Sequence, residues 1–388
     1  MRIKPLILLS LFLFYFGCKH QHDVLPVEDV LQRYQSQYAP DPRTAIFDLQ
    51  ATVINDSIVI AGETNIPEAR TGLMGELKDI YPNLVDSIRI LPGMDLGEDY
   101  RAVVNLSVAN IRSEAGHSAE LSTQATLGTP LNVLKKKGGW FLVQTPDQYL
   151  GWLDFGGLEL MNEQLFQKWK QSEKVVYTET YGFALDSTGK HLSDLVAGNI
   201  MKKNSQNDTA YQVSFPDGRT GYVSLKEALP YQEWIAQLQL SQETLVATSR
   251  KMMGLPYLWG GTSYKGVDCS GFTKTVYFLN GLILPRDASQ QVRTGKLVDD
   301  QKQWENLQPG DLLFFGRSAT DSTRERVVHV GMWIGDNQYI HSSGRVMINS
   351  MDPNAANYDE YNDDRYLRTK RILGVENGKE VFEVAELY

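Results

Sequence analysis

Val267-Asp268-Cys269-Ser270-Gly271-Phe272 is the stretch whose reading decides the fold of the C-terminal part. Phe272, Val276 and Leu279 fall at i, i+4 and i+7, which gives a helix with one apolar face. Asp268 is a good N-cap, so Cys269 belongs in the first turn. A thiol there feels the positive end of the helix dipole, and its pKa should fall toward the reactive range. Gly260-Gly261 and Gly266 upstream permit a tight loop that leaves the sulfur open to a substrate. A structural cysteine would sit on the apolar face, with Phe272 and Val276.

A nucleophilic thiol needs a base. Downstream lie two histidines, His329 and His341; the other four are far upstream. Val328, Val330, Met332 and Ile334 alternate along a strand, so His329 points to the opposite face. Gly335-Asp336-Asn337 reads as a turn, and Tyr339-Ile340-His341 as the return strand. Pairing 334 with 338 sets Gly331 opposite His341 and makes the two histidines diagonal neighbours, about 7 Å apart at Cα. One imidazole can then take the thiol proton while the other holds its ring.

The rest of this section, 240–388, alternates helix and strand and predicts an α+β domain with its own core. Its helix is expected at 242–253, and Leu312-Leu313-Phe314-Phe315 and 327–334 read as buried strands. Two all-β stretches precede it, at 99–165 and 173–232, and they carry an internal repeat. Pro146-Asp147 is followed by Gly151-Trp152, and Pro216-Asp217, 70 residues on, by Gly221-Tyr222. Further upstream, 46–98 reads as a small α/β unit: two strands around Asn55-Asp56, a helix from Pro67 to Tyr81, and a strand over 87–90. Residues 19–45 are polar and read as a tether.

The chain of 388 residues carries a net charge of −9 and offers phosphates no basic stripe, so a nucleic-acid partner is not expected. No His/Cys cluster has metal-ligand spacing and no Gly-rich loop cradles phosphate, so neither metal nor cofactor is expected. Met1-Arg2-Ile3-Lys4 and the apolar run from Leu6 to Phe16 form a leader too short to span a bilayer. The leader, 1–18, ends at Gly17-Cys18, which resembles a bacterial lipobox with Tyr15 where Leu is usual. The resemblance implies lipidation at Cys18 and a membrane anchor at the cell envelope, periplasmic or surface; the alternative is an ordinary secretory leader. Lipidation leaves Cys269 as the one free thiol.

Tyr257-Leu258-Trp259-Gly260-Gly261, Asp268-Cys269-Ser270-Gly271, Leu284-Pro285-Arg286, Pro309-Gly310-Asp311-Leu312 and His329-Val330-Gly331 resemble, in order, the motifs of the NlpC/p60 cell-wall cysteine peptidases. The resemblance runs from Leu240 to about Gly374. It implies a papain-like catalytic domain with Cys269, His329 and His341 as its triad, and Tyr257 helping to hold the oxyanion. Residues 317–326 look like an insertion. The stretches Ile111-Arg112-Ser113-Glu114 and Trp140-Phe141-Leu142-Val143-Gln144, closing on Gly151-Trp152-Leu153, resemble bacterial SH3-like barrels, with the second copy more divergent.

Barrels ahead of the peptidase resemble the subgroup that cuts γ-D-glutamyl-L-diamino acid bonds in wall peptides bearing a free N-terminal L-alanine. In that subgroup the first barrel covers one end of the cleft and recognises the amine. The matching residues here are Glu114, Tyr149, Asp268 and Ser270, with Glu120 competing with Glu114. The implied partners are peptidoglycan-derived peptides, and the implied state is a monomer. Two other readings stand beside this one: a hydrolase of intact crosslinked wall, and a non-catalytic wall-binding protein.

Overall fold

The computed structural model describes residues 25–376 and 380–388. The leader and Cys18 lie outside the described residues. Among those described, no helix is long and apolar enough to cross a membrane.

The tether reading of 19–45 does not hold over its second half. Leu25–Tyr38 is a helix, and Val27, Leu31 and Tyr34 on one side of it are buried against Leu73, Leu77 and Ile60. Those three sit at i, i+4 and i+7, an apolar stripe that the polar composition obscures. A second helix, Pro67–Ile80, joins it on a three-stranded sheet. Phe47–Ile54 and Ser57–Thr64 form the expected hairpin around Asn55-Asp56, both at positive φ. Leu84–Ile90 runs parallel to the second strand after the helical crossover.

Two seven-stranded antiparallel sheets follow, between Arg101 and Met161 and between Lys174 and Pro230. With strands counted within each unit, both sheets have the spatial order 7-1-4-5-6-2-3. Pro146-Asp147 and Pro216-Asp217 occupy the same turn, between the fifth and sixth strands of their units. The sequence repeat is therefore a repeat of topology.

The last unit centres on a six-stranded antiparallel sheet. Its inner strands are Leu312–Arg317, Arg326–Gly335 and Gln338–Ser343, and Arg345–Ser350 closes one edge. The helix Cys269–Phe278 packs on the second and third of these. Phe272 and Val276 are fully buried there, each contributing about 1.5–3 kcal/mol of apolar burial. The helix is buried on nearly all sides rather than along one face, because the first barrel covers its outer side: Lys274 pairs with Asp147 at 2.6 Å. The 326–343 hairpin turns on two residues, Asp336 and Asn337, both at positive φ, with an irregularity between Trp333 and Gly335. Gly335 thus pairs with Gln338 in place of the expected 334, while Met332 still faces Ile340. Gly331 is then opposite His341, where an added Cβ would lie 2.5 Å from the Tyr339 ring and 3.2 Å from His341 Cβ. Only glycine lets the two strands carry both rings.

Candidate active site

Cys269 opens its helix as expected. Asp268 has extended backbone and its Oδ1 accepts from the Gly271 N–H at 2.7 Å, which caps the helix. Cys269 as a residue is 8% exposed, and the Val330 and Ser270 amides favour the charged form of its sulfur. Val330 follows His329 in the central strand, so the nucleophile helix and the histidine hairpin meet at the sulfur.

The two imidazoles share a face, as the alternation implies. His329 Nε2 is 2.8 Å from His341 Nδ1, and His341 Nε2 is 3.1 Å from Asn349 Oδ1. Asn349 Nδ2 donates to the Asn357 carbonyl at 3.2 Å, which fixes the amide so that its oxygen faces the ring. Hydrogen-bond logic then sets every tautomer. Asn349 Oδ1 can only accept, so His341 carries its proton on Nε2 and accepts at Nδ1. His329 therefore donates from Nε2, and its Nδ1 is left as a lone pair. That nitrogen is free to accept a proton. Asn349 was missed in the sequence; it lies two residues beyond the partner of His341 on the next strand, a diagonal neighbour on the same face.

The expected fall of the thiol pKa does not occur. Burial pushes the Cys269 thiol up to about 12, and the negative charge of Asp268 adds to it; the Val330 amide, Arg286 and the Ser270 amide oppose this and do not prevail. Burial also holds His329 well below 6.5, helped by His341 and Arg365, and lowers His341. Desolvation of a charge outweighs the partial charge of one helix end. Burial thus favours the neutral thiol and neutral imidazoles at rest. Two results follow. The acid limb of kcat/KM, where His329 takes up a proton and ceases to be a base, should lie well below pH 6.5. Alkylation of Cys269 by iodoacetamide should keep accelerating above pH 8 instead of reaching a plateau near neutrality. A thiolate plateau at pH 6–7 would contradict both.

A cleft of about 510 Å³ opens over the sulfur. Tyr257 lines it; burial and the neighbouring Cys269 and Asp268 keep its phenol protonated. Tyr149 reaches it from the first barrel, donating to Asp287 Oδ2 at 3.1 Å. Glu325 and Arg326, from the 317–326 hairpin loop, form another part of the wall. Gly260 lies directly beneath the first barrel, at φ +81, where an added Cβ would be 2.3 Å from the Leu121 carbonyl. Beside it, Trp259 Nε1 donates to Glu120 Oε1 at 2.6 Å, and Gln124 holds Thr262 and Ser263. The first barrel and the peptidase unit are thus joined at one end of the cleft.

Three expected amine ligands stand differently. Glu114 is exposed and does not line the cleft, whereas Glu120 does. The reason is the loop closure: Ser113 N–H donates to the Glu120 carbonyl at 2.9 Å, so 114–119 form the tip and Glu120 the base. Asp268 is buried, and its oxygens are engaged by Arg286 at 2.5 and 3.1 Å and by the Gly260 and Gly271 amides. Ser270 Oγ lies between Arg286 and Asp268, at 3.0 and 3.3 Å. Asp287 was not singled out in the sequence, although it directly follows Leu284-Pro285-Arg286. No group of His, Cys, Asp and Glu among the described residues is placed to hold a metal ion.

Residues 254–365 match the model of the NlpC/P60 family, and 107–158 that of the bacterial SH3 domain. The chain is similar to a gamma-D-glutamyl-L-lysine dipeptidyl-peptidase of Bacillus cereus, 35% identical over 58% of this chain and 67% of that protein. The enzyme of the same name from Bacillus subtilis is 30% identical over 57% of this chain and 72% of its own. The crystal structure of an NlpC/P60 family protein from B. cereus superposes with a TM-score of 0.58 at 27% identity, covering 70% of this chain and 99% of that one.

Proposed function

We propose, on the premise that this chain belongs to the NlpC/P60 family and is a cysteine peptidase, that it cuts the γ-D-glutamyl-L-diamino acid bond of wall peptides whose N-terminal L-alanine is free. Cys269 is the nucleophile, His329 the base and His341 the group that orients it, with Asn349 fixing His341. As Sγ attacks the γ-carbonyl carbon, its proton passes to His329 Nδ1. The oxyanion is held by the Cys269 N–H, one of the unpaired amides of a helix start, and by the Tyr257 hydroxyl. Collapse breaks the C–N bond, and the leaving amine takes the proton from His329. Water then attacks the thioester while His329 accepts its proton. The dipeptide leaves as a carboxylic acid and the proton returns to sulfur.

One observation carries the substrate reading: the barrel-side end of the cleft gathers carboxylates where an ammonium would arrive. Glu120, Asp287 and the Tyr149 hydroxyl line the cleft; Asp268 has both oxygens engaged by Arg286 and backbone amides, whereas Arg43 and Tyr149 meet only one oxygen of Asp287. A desolvated ammonium needs such partners. The relatives' name, a dipeptidyl-peptidase, fits an enzyme that measures two residues from an amino end. The test compares a free L-Ala-γ-D-Glu-diamino acid tripeptide with its N-acetyl form. We expect kcat/KM to fall at least about 100-fold on acetylation, because a neutral amide cannot meet Glu120 and Asp287 as an ammonium does. For the free peptide, activity should also fall above about pH 8, as the α-ammonium deprotonates. Equal cleavage of both forms would favour a hydrolase of intact crosslinked wall.

The remaining assignments belong to the same reading. The second seven-stranded sheet is a second SH3-like barrel, which its strand order supports. The domains are 46–98, enlarged by the Leu25–Tyr38 helix, then 99–165, 173–232 and 240–388. The mature protein is a monomer, lipid-anchored at Cys18 in the cell envelope.

A further inference from the structure

The segment 39–45 joins the N-terminal α/β unit to the cleft itself. Asp41 is 8% exposed and is held from three sides, by Arg43 Nε and Nη2 at 2.8 and 2.6 Å, by Gln290 Nε2 at 3.0 Å and by Arg293 Nη2 at 3.0 Å. The backbone next to it is fixed to the first barrel: Leu150 N–H donates to the Arg43 carbonyl at 2.7 Å, and Gln144 Nε2 to that of Thr44 at 2.8 Å. Arg43 is thereby aimed. Its remaining terminal nitrogen, Nη1, reaches into the cleft and meets Asp287 Oδ2 at 2.7 Å and Ser289 Oγ at 3.0 Å. The Tyr149 hydroxyl donates to the same Oδ2. Three units of the chain therefore converge on one carboxylate oxygen. The other oxygen, Oδ1, lies 4.0 Å from Arg286 Nη1, beyond hydrogen-bond distance.

We propose that the N-terminal unit is part of the substrate site, and that Arg43 is a positioning residue that, with Tyr149, holds Asp287 so that Oδ1 receives the substrate's ammonium. This rests on the amine-recognition reading above. Asp287 heads a four-residue helix and shares a capping box with Gln290, and its other rotamers must be excluded before an ammonium can bind tightly. Two donors on one oxygen exclude them and leave the second oxygen presented. A guanidinium suits this task because its planar fork engages Asp41 through one edge and Asp287 through the other. A lysine could satisfy one carboxylate at a time.

The experiment uses the full chain with Arg43→Ala and Arg43→Lys, assayed on the free tripeptide and on its N-acetyl form. The expected result for Arg43→Ala is a KM for the free peptide raised about tenfold, with kcat within about twofold and the acetylated peptide unaffected, the signature of lost ground-state binding. Arg43→Lys should recover only part of the preference. If Arg43→Ala does not fold, Asp41→Asn, which frees Arg43 without touching the cleft, should erode the same ratio. An unchanged preference for the free peptide in these variants overturns the proposal, as does an equal loss on both peptides with a lowered Tm, which would make the segment a structural strap. An unaltered enzyme that cleaves both peptides equally would instead remove the amine reading itself, and this inference with it.

Discussion

Cys269→Ala should lower turnover of wall peptides by on the order of 10⁴-fold or more, with the Tm within a few degrees of the parent protein. The first part follows from the chemistry: without Sγ no thioester forms, and the relay from His329 to Asn349 has no proton to accept. The second part follows from the packing. The sulfur is one small group at the edge of a core whose larger members, Phe272, Val276, Phe314 and Val330, are untouched. Its loss removes little volume. Steady-state assays and a thermal melt on the same preparation separate the two effects. Turnover within threefold of the parent protein would rule out the mechanism and leave a wall-binding protein. The Ser variant adds a check, since an alcohol is far harder to deprotonate than a thiol and should not rescue activity beside an imidazole this weakly basic.

The largest structural effect is expected at Arg286. This side chain is 1% exposed and meets Asp268 through two nitrogens. Arg286→Met would leave a buried carboxylate facing a thioether. Removing one partner of a buried pair costs about 3–5 kcal/mol, and for a domain of this size that is on the order of a 10 °C fall in Tm. Activity should fall as well, because Asp268 caps the nucleophile helix and ties down Gly260 under the barrel. The double variant Asp268→Asn/Arg286→Met should recover part of the stability, since the amide keeps the cap without a charge to strand. A single variant that melts within 2 °C of the parent protein would show that the pair is not what holds this loop.

Much of the site was legible because its determinants are local. An N-cap, an i, i+4, i+7 stripe and strand alternation each span a few residues, and they place Cys269 at its helix start and His329 beside His341. What stayed hidden involves partners or burial that spacing does not encode. Arg43 meets Asp287 across 244 residues, and Asn349 joins the histidines only once a third strand is in register. Glu114 and Glu120 are alike as sequence; a single backbone hydrogen bond at Ser113 puts one at the loop tip and the other at its base. The thiol pKa shifts opposite to the expected direction because a helix dipole can be read from a cap, whereas the burial around the sulfur cannot. The Leu25–Tyr38 helix is a different failure: its stripe was present, and a polar composition concealed it.

The seam between Gly260 and Leu121 has a consequence for the cell. A groove stopped at one end works as a ruler, admitting only a chain that finishes two units from the cut. In assembled wall the alanine nitrogen is already tied to sugar, so the polymer has no end to offer. On the proposed reading the enzyme can then stay active at all times, harmless to the living sacculus and open only to its debris, with no inhibitor needed to restrain it.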